Sequence, residues 1–346
     1  MTNISLNDLS KKISSLLNEA RQSVFRSINH TMVLTYFEIG RMIVEEEQNG
    51  KERADYGKQL LKNLSKNLTA EFGKGFSQRN LEQMRQFYLV YSKAQTLSAE
   101  LPSSKNDTTL SSEFKLSWSH YLKLMRIDNE LERKFYEIEA FKNNWSLREL
   151  NRQYDSALFT RLALSKDKNE ILKLAEQGQV IQRPQDAIKD PYILEFIGLP
   201  EQNIYSESEL EQKLIDKLEH FLLELGTGFT FVARQNRISF DDKHFRIDLV
   251  FYNRILRCFV LIDLKVGELK HQDIGQMQMY VNYYDRKIKL DDENKTIGII
   301  LCQNKSEAVV EFTLPENNTQ IFASKYLTVL PSKETLIKLI ESEDKS

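Results

Sequence analysis

The chain has 346 residues, a formal net charge of −2 and 41% hydrophobic residues, which is enough for roughly two or three globular domains. The near-neutral charge excludes a protein that is basic throughout, so nucleic-acid binding would depend on local basic patches. The two cysteines, Cys258 and Cys302, are too few for a disulfide scaffold and suit a reducing compartment. No run of about 18 apolar residues occurs. The first residues lack the segments of a secretory signal, so we expect a cytoplasmic protein without membrane contact.

The first part of the chain is predicted to be helical. Apolar residues recur at helical spacing over 6–20, 31–47 and 56–72. A Gly-Lys-Gly break follows at 73–75, and Ser77 is a typical N-cap for a fourth helix that runs through Lys93.

The stretch from 94 to 117 is rich in polar residues and is predicted to be a mobile loop. Helical patterning resumes at Trp118 and continues to about Gln177, before a polar segment near 181–190. We therefore predict a helical domain over 1–178 and a second domain over 190–346.

The second domain is predicted to combine helices and strands. Its predicted elements are a helix over 207–225, strands over 229–240, 245–253 and 258–266, a helix over 273–286, a strand over 297–302, an edge strand over 320–323 and a last helix over 334–340. The first three strands are close enough in sequence for hairpins, whereas the helix after them carries the chain to a further strand. This order predicts an α+β protein with a mixed sheet.

Two of the apolar strands carry charged residues, namely Asp248 on one and Asp263 with Lys265 on the other. Charges inside apolar strands cost free energy unless they are paired or bind a metal. Since side chains alternate along a strand, Asp263 and Lys265 project from one face, roughly 7 Å apart along it.

The neighbouring strand is expected to follow the same rule. Asp248 should share a face with Arg246 and Val250, with Phe245 and Ile247 on the opposite face. If the two strands form a hairpin, the two aspartates converge.

Two carboxylates and a backbone carbonyl form a hard-oxygen site suited to Mg²⁺ or Mn²⁺. Such a metal polarises a phosphate and lowers the pKa of a bound water, and Lys265 could orient that water or neutralise charge on the phosphate. The Asp-x14-Asp-x-Lys spacing is short and common by chance. A structural ion pair between Asp263 and Lys265 therefore stays open as the alternative.

Neighbouring elements offer further candidates. Gln276 and Tyr280 lie four apart on a helix and could contact a phosphate or hold Lys265, while packing of Tyr280 in the core is the alternative. Glu211 could add a carboxylate to the metal shell. A solvated helix face is the alternative for it and for its competitors Glu207, Glu209 and Glu219. Gln235 and Arg237, on the first strand, could reach a substrate.

These residues resemble the pattern of the PD-(D/E)XK, or restriction-endonuclease-like, superfamily. That pattern is an acidic residue in the first helix, Asp on the second strand, Asp or Glu followed by x-Lys on the third, and in some branches Gln-x3-Tyr on the next helix. The matching positions are Glu211, Asp248, Asp263 with Lys265, and Gln276 with Tyr280. The chain departs from the pattern at Ile247, where a proline is usual, and at Asp263, where Glu is more frequent.

Four further segments, 36–40, 73–81, 145–150 and 221–226, resemble the bacterial YhcG-type family of this superfamily. The resemblance covers nearly the whole chain. It implies a helical, winged-helix-like N-terminal domain joined to a restriction-endonuclease-like α/β core. The resemblance to the superfamily also implies Mg²⁺-dependent hydrolysis of phosphodiester bonds in DNA, by a homodimer whose paired sites cut both strands.

The segment from 51 to 93 has a charge of its own, with nine basic against four acidic residues. Clustered positive charge indicates phosphate binding, and helix, glycine turn and helix together are typical of a helix-turn-helix. The candidate nucleic-acid contacts are Lys74, Ser77, Gln78, Arg79, Asn80 and Arg85. A basic helical surface that binds protein is the alternative.

Other chemistry is not indicated. No phosphate-binding Gly-x4-Gly-Lys-Ser/Thr segment occurs, so no nucleotide cofactor is expected, and the five scattered histidines form no zinc pattern. We therefore predict a Mg²⁺- or Mn²⁺-dependent deoxyribonuclease. The rival hypothesis is a non-catalytic DNA-binding or assembly subunit that retains a nuclease-like scaffold. RNA stays open as a substrate because metal and lysine act on the phosphate.

Overall fold

A computed structural model of the protein describes residues 6–49, 54–98, 114–163, 168–200, 205–240, 243–331 and 335. The chain divides into two compact units, 1–151 and 152–346. The domain limits given above, 1–178 and 190–346, stay a prediction. In the described ranges no helix is both long and apolar enough to span a membrane.

The first unit is helical in all its described segments. Its helices are α1 (Leu6–Asn49), α2 (Ala54–Phe72), α3 (Gln78–Ser98), α4 (Trp118–Leu124), α5 (Glu130–Lys142) and α6 (Leu147–Asp155), the last of which ends in the second unit. Since 6–49, 54–98 and 114–151 contain no β-strand, the winged-helix detail is not confirmed.

Two predictions for this unit need correction. The helices predicted over 6–20 and 31–47 are one helix of 44 residues, because 21–30 contains no glycine or proline to end it. The loop predicted over 94–117 starts later, because α3 continues to Ser98, and 99–113 lies outside the described residues.

Helices α1 and α3 approach closely at Gly40. A Cβ atom at this position would lie 2.1 Å from the backbone oxygen of Met84, so only glycine permits the contact. Aromatic rings pack next to it, with ring centroids 5.7 Å apart for Phe37 and Phe87 and 5.0 Å apart for Tyr36 and Trp118. The close approach gives the 36–40 segment a structural reason for its glycine.

In its described residues, the second unit contains a six-stranded sheet and six further α-helices. The helices are α7 (Leu158–Ala163), α8 (Lys168–Gln177), α9 (Glu207–Asp216), α10 (Leu218–Leu225), α11 (His271–Lys287) and α12 (Glu307–Thr313). The strands are β1 (Tyr192–Ile193), β2 (Phe229–Phe240), β3 (Lys243–Asn253), β4 (Cys258–Glu268), β5 (Ile297–Asn304) and β6 (Ile321–Leu327).

The sheet has the strand order β1-β6-β5-β4-β3-β2. Strands β2, β3 and β4 are antiparallel, whereas β4, β5, β6 and β1 are parallel, so the predicted mixed sheet is confirmed. The prediction that 320–323 forms an edge strand is wrong, because β1 pairs outside β6. With only two residues, β1 leaves no periodic signal in the sequence.

Other predicted elements differ in detail. The helix predicted over 207–225 is divided at Lys217, whose φ of −120° and ψ of 30° are not helical. Helix α12 was not predicted. The helix predicted over 334–340 lies outside the described residues apart from Thr335.

Helices cover both faces of the sheet. Helices α9 and α10 pack on one face, named here the α9 face, with Leu210, Leu214 and Phe221 in its core. Helix α11 packs on the other, the α11 face, through Ile274 and Met277. Since β5 lies between the two layers, it is buried from Ile297 to Cys302.

A buried ion cluster centres on Glu224 of α10. Its Oε1 lies 2.7 Å from Arg161 Nη1 and accepts from Ile193 N at 3.0 Å, and its Oε2 lies 3.2 Å from Arg152 Nη2. Lys189 Nζ donates to its backbone oxygen. Burial alone would raise the pKa of the Glu224 carboxyl, but the charges of Arg161, Lys189 and Arg152 outweigh it and lower this pKa to about 2.

We expect Glu224→Gln to destabilise the second unit by about 3 kcal/mol at pH 7, because two guanidinium groups lose their buried counter-charge. The folded-state pKa lies below the ordinary value of 4.5. The stabilisation is therefore complete above pH 4.5 and is lost as the pH falls towards 2. Hydrogen exchange of the α10 amides at pH 7 and pH 3 measures both effects.

The matched control is Glu219→Gln on the same helix, whose side chain is exposed. It should change exchange by less than about 0.5 kcal/mol. Equal protection of α10 in wild type and Glu224→Gln at pH 7 would contradict the stabilising role of the cluster.

We expect Gly40→Ala to destabilise the first unit by about 1 to 3 kcal/mol, because α1 and α3 must move apart. Both tryptophans of the chain, Trp118 and Trp145, lie in this unit, so urea unfolding followed by tryptophan fluorescence measures it. Gly75→Ala is the control, since a Cβ there meets nothing within 4 Å. A midpoint for Gly40→Ala equal to that of the control would refute the close-packing argument.

Candidate active site

The candidate site lies where β3 and β4 stop pairing. The antiparallel ladder ends at Leu249 and Ile262, and the same register would next pair Asp248 with Asp263. Instead, the Asp248 Oδ2 accepts a hydrogen bond from the backbone N–H of Leu264 at 2.8 Å. A carboxylate thus takes the place of a ladder acceptor, and the strands separate beside two aspartates.

Asp263 and Lys265 project from the same face of β4, as alternation predicts, since Ile262 and Leu264 between and beside them pack in the α9 face core. Lys265 Nζ lies 2.8 Å from Asp263 Oδ2, and Asp263 is only 2% exposed. Burial and the negative charge of Asp248 raise the pKa of Asp263 to about 7, while Lys265 opposes the shift. Burial would lower the pKa of Lys265, but the charge of Asp263 raises it, so the lysine stays protonated.

The alternation predicted for β3 is wrong next to Asp248. Phe245 and Ile247 contribute to the α11 face core, and so does Val250, which was expected on the other side from them. The phase therefore changes by one residue beside Asp248. Gln235, which lies opposite on β2, has a φ of +46°, and this irregularity in the paired strand accounts for the change.

Glu211, on α9, lies close to Asp248, and its side chain is 7% exposed. Gln235 Nε2 donates to Glu211 Oε2 at 2.5 Å and to Asp248 Oδ1 at 3.0 Å. Arg234 Nε lies 3.2 Å from Glu211 Oε1. Burial raises the pKa of Glu211, while the hydrogen bond from Gln235 and the charge of Arg234 oppose it.

The other glutamates considered have different partners. Glu209 accepts from Ser206 N at 2.8 Å and so caps α9, and Glu219 is exposed. Glu207 accepts from Val266 N at 3.3 Å and lies 3.8 Å from Lys265 Nζ. The structure therefore brings Glu211 to Asp248 and places Glu207 beside the lysine.

Gln276 and Tyr280 share a face of α11, as their spacing predicts. Gln276 Nε2 donates to Tyr280 Oη at 2.5 Å, and the tyrosine hydroxyl donates to the backbone oxygen of Arg246 at 2.9 Å. Tyr280 is fully buried in the α11 face core, which agrees with the core-packing alternative. Its hydroxyl thus braces β3 two residues before Asp248.

Sequence reasoning gave little weight to Gln235 and Glu207. The signal for Gln235 is a run of four polar residues, 234–237, where an alternating strand should have a polar residue only at every second position. For Glu207 only the overall fold shows the proximity, since 58 positions separate it from Lys265.

The donor set fits a divalent cation. Glu211 Oε1 and Asp263 Oδ2 are buried and accept no hydrogen bond of acceptable geometry, although Arg234 and Lys265 lie nearby. A carboxylate oxygen with a single cationic neighbour keeps a lone pair that a divalent cation can use. No three His, Cys, Asp or Glu side chains among the described residues form a group that could hold a metal ion. At this site the amide of Gln235 lies between Glu211 and Asp248.

The predicted nucleic-acid contacts lie around the start of α3 in the first unit. Lys74, Ser77, Gln78 and Arg79 are exposed. Ser77 Oγ accepts from Asn80 N at 3.4 Å, so the predicted N-cap is confirmed. Asn80 and Arg85 are engaged within the unit, where Asn80 Nδ2 donates to Gly75 O at 3.0 Å and Arg85 Nε lies 2.6 Å from Glu47 Oε2.

Two solved structures show limited similarity to the chain. A repair endonuclease from Pyrococcus abyssi is 18% identical, with a TM-score of 0.26 over 36% of this chain and 49% of that one. The EndoMS–dsDNA2 complex is 16% identical, with a TM-score of 0.28 over 39% of this chain and 48% of that one.

Sequence comparison finds similarity over a larger part of the chain. Residues 12–161 match the DUF1016 N-terminal domain, and residues 185–340 match the YhcG PDDEXK nuclease domain. The Escherichia coli (strain K12) protein "Putative nuclease YhcG" is 42% identical over 341 residues, which cover 94% of this chain and 90% of that protein. The chain therefore belongs to the YhcG family, in which a DUF1016 N-terminal domain precedes a PDDEXK nuclease domain.

Proposed function

We propose that the protein is a Mg²⁺- or Mn²⁺-dependent deoxyribonuclease. The observation that carries the proposal is the buried Asp263–Lys265 pair, 2.8 Å apart, placed where β3 and β4 separate beside Asp248. An ion pair with a purely structural role has no need of further carboxylates, whereas Asp248 and Glu211 share one hydrogen-bond donor at its edge. Membership of a PDDEXK nuclease family supports the same chemistry.

Each side chain has a role in this proposal. Glu211, Asp248 and Asp263 would hold the cation through carboxylate oxygens. The bound cation supplies polarisation of the phosphate and a lowered pKa for a nearby water. Lys265 remains protonated beside Asp263, so its ammonium stabilises negative charge that develops on the phosphate.

Gln276 and Tyr280 would act on the site indirectly, through the backbone of β3. The hydroxyl of Tyr280 fixes the backbone oxygen of Arg246, and Gln276 fixes that hydroxyl. Together they hold β3, and with it Asp248, against α11. We therefore assign them a positioning role.

The first unit would bind the nucleic acid. Lys74, Gln78 and Arg79 are exposed at the N-terminal end of α3. Arg85 is paired with Glu47 and would contribute less. The homodimer stays a prediction, which sedimentation of the purified protein would test.

We expect Asp263→Asn and Lys265→Ala each to reduce DNA cleavage at least about 100-fold, since each removes charge at the reacting phosphate. The assay is cleavage of plasmid and linear DNA with Mg²⁺, Mn²⁺ or EDTA. Asp291→Asn, at an exposed position, is the matched control and should keep full activity. Cleavage by Asp263→Asn at the wild-type rate would refute the assignment.

Two other results would change the proposal. Metal-dependent cleavage of RNA but not of DNA would keep the site and replace the substrate. Salt-sensitive DNA binding without cleavage by the wild type would favour the rival hypothesis of a non-catalytic subunit.

We expect the double variant Lys74→Ala, Arg79→Ala to weaken DNA binding about tenfold and to lower the slope of log K against log salt by about 2, because two phosphate contacts are lost. Fluorescence anisotropy at several salt concentrations measures both. Lys134→Ala is the control, since this lysine pairs with Glu130 at 2.9 Å elsewhere in the unit. An unchanged salt slope in the double variant would argue that the start of α3 does not bind phosphate.

A further inference from the structure

Gln235 stands between two of the carboxylates proposed as metal ligands. Its single amide nitrogen donates to Glu211 Oε2 at 2.5 Å and to Asp248 Oδ1 at 3.0 Å. Both acceptors are carboxylate oxygens, so only the NH₂ end of the amide can face them. Its two N–H groups are therefore both used to hold together acidic side chains from α9 and β3.

The backbone at Gln235 is unusual in a way that serves this position. Its φ of +46° belongs to the left-handed region, which residues other than glycine, asparagine and aspartate seldom adopt. Gln235 and Asn236 are both half-buried, so the in-and-out alternation of β2 changes phase between them. The pairing register of β2 with β3 is the same directly before and after Gln235, and it shifts only further along, between Phe231 and Ala233.

The next side chain of β2, the amide of Asn236, does not donate to carboxylates. Asn236 Nδ2 donates to the hydroxyl of Tyr284 at 2.7 Å, on the α11 face. Two successive amide side chains of β2 thus have different partners, a neutral hydroxyl for Asn236 and two carboxylates for Gln235.

We infer that the Gln235 amide substitutes for the cation. Without bound metal the amide lies between Glu211 and Asp248, and it leaves this position when a divalent cation binds. The inference rests on the proposed function, because it requires these carboxylates to hold the metal. Two N–H donors reduce the repulsion between the carboxylates, as a cation does with a larger charge. Both hydrogen bonds must break before the metal enters, so Gln235 lowers metal affinity and keeps the site assembled without metal.

The test is titration of the full chain with Mn²⁺ alone by isothermal calorimetry, which needs no substrate. Gln235→Met keeps the size and backbone strain of glutamine but has no N–H donor, and Gln235→Ala is a second variant in case methionine does not fit. We expect the Kd for Mn²⁺ to fall about tenfold in Gln235→Met, which corresponds to about 1.4 kcal/mol. The melting temperature in EDTA should fall, and the increase on adding Mn²⁺ should be larger than in wild type.

Asn236→Ala is the matched control, and its Kd for Mn²⁺ should stay within about twofold of wild type. If wild type binds Mn²⁺ and both Gln235 variants bind it equally or more weakly, the inference is overturned while the metal site stands. If neither wild type nor the variants bind Mn²⁺, the proposed metal site fails and the inference fails with it.

Discussion

The end of the β3–β4 ladder is the constraint on which the rest of the candidate site depends. Two antiparallel strands that continued to pair would bring Asp248 and Asp263 side by side in a buried sheet, where two like charges repel. Pairing stops one residue earlier, and the Asp248 carboxylate accepts the N–H of Leu264 that the ladder no longer satisfies. Asp248, whose charge prevents further pairing with Asp263, thus also stabilises the separated strands through this hydrogen bond.

The layers around the sheet keep this opening in place. On the α9 face, Glu211 approaches from a helix whose capping box is complete at Ser206 and Glu209. On the α11 face, Tyr280 ties α11 to the backbone of β3 at Arg246. Further away, the Glu224 cluster joins α10 to Ile193 of β1 through buried charge. Helix α9 therefore places a carboxylate next to β3, and α11 holds the backbone of the same strand. The Glu224 cluster stabilises a different part of the unit.

The positions of side chains could be predicted from the sequence better in the second unit than in the first, because its apolar strands carry charged residues. A strand must alternate and a buried charge must be paired, so Asp263 and Lys265 could be placed on one face of β4 from the sequence alone. The mixed character of the sheet followed from hairpin spacing and one crossover helix. The sequence failed where an element is too short to show a period, as in β1, or where nothing marks an end, as in the 44 residues of α1.

Gln235 shows why pattern alone stops short of the site. Its φ is left-handed, and its two carboxylate partners come from α9 and β3, so the site joins residues 211, 235 and 248. A local rule of alternation can indicate only that something is irregular at this point, through two adjacent half-buried amides. The reason lies in electrostatics between distant segments, because two carboxylates that face each other repel unless hydrogen-bond donors lie between them. In this protein an amide meets that need, and the strand deforms to place it.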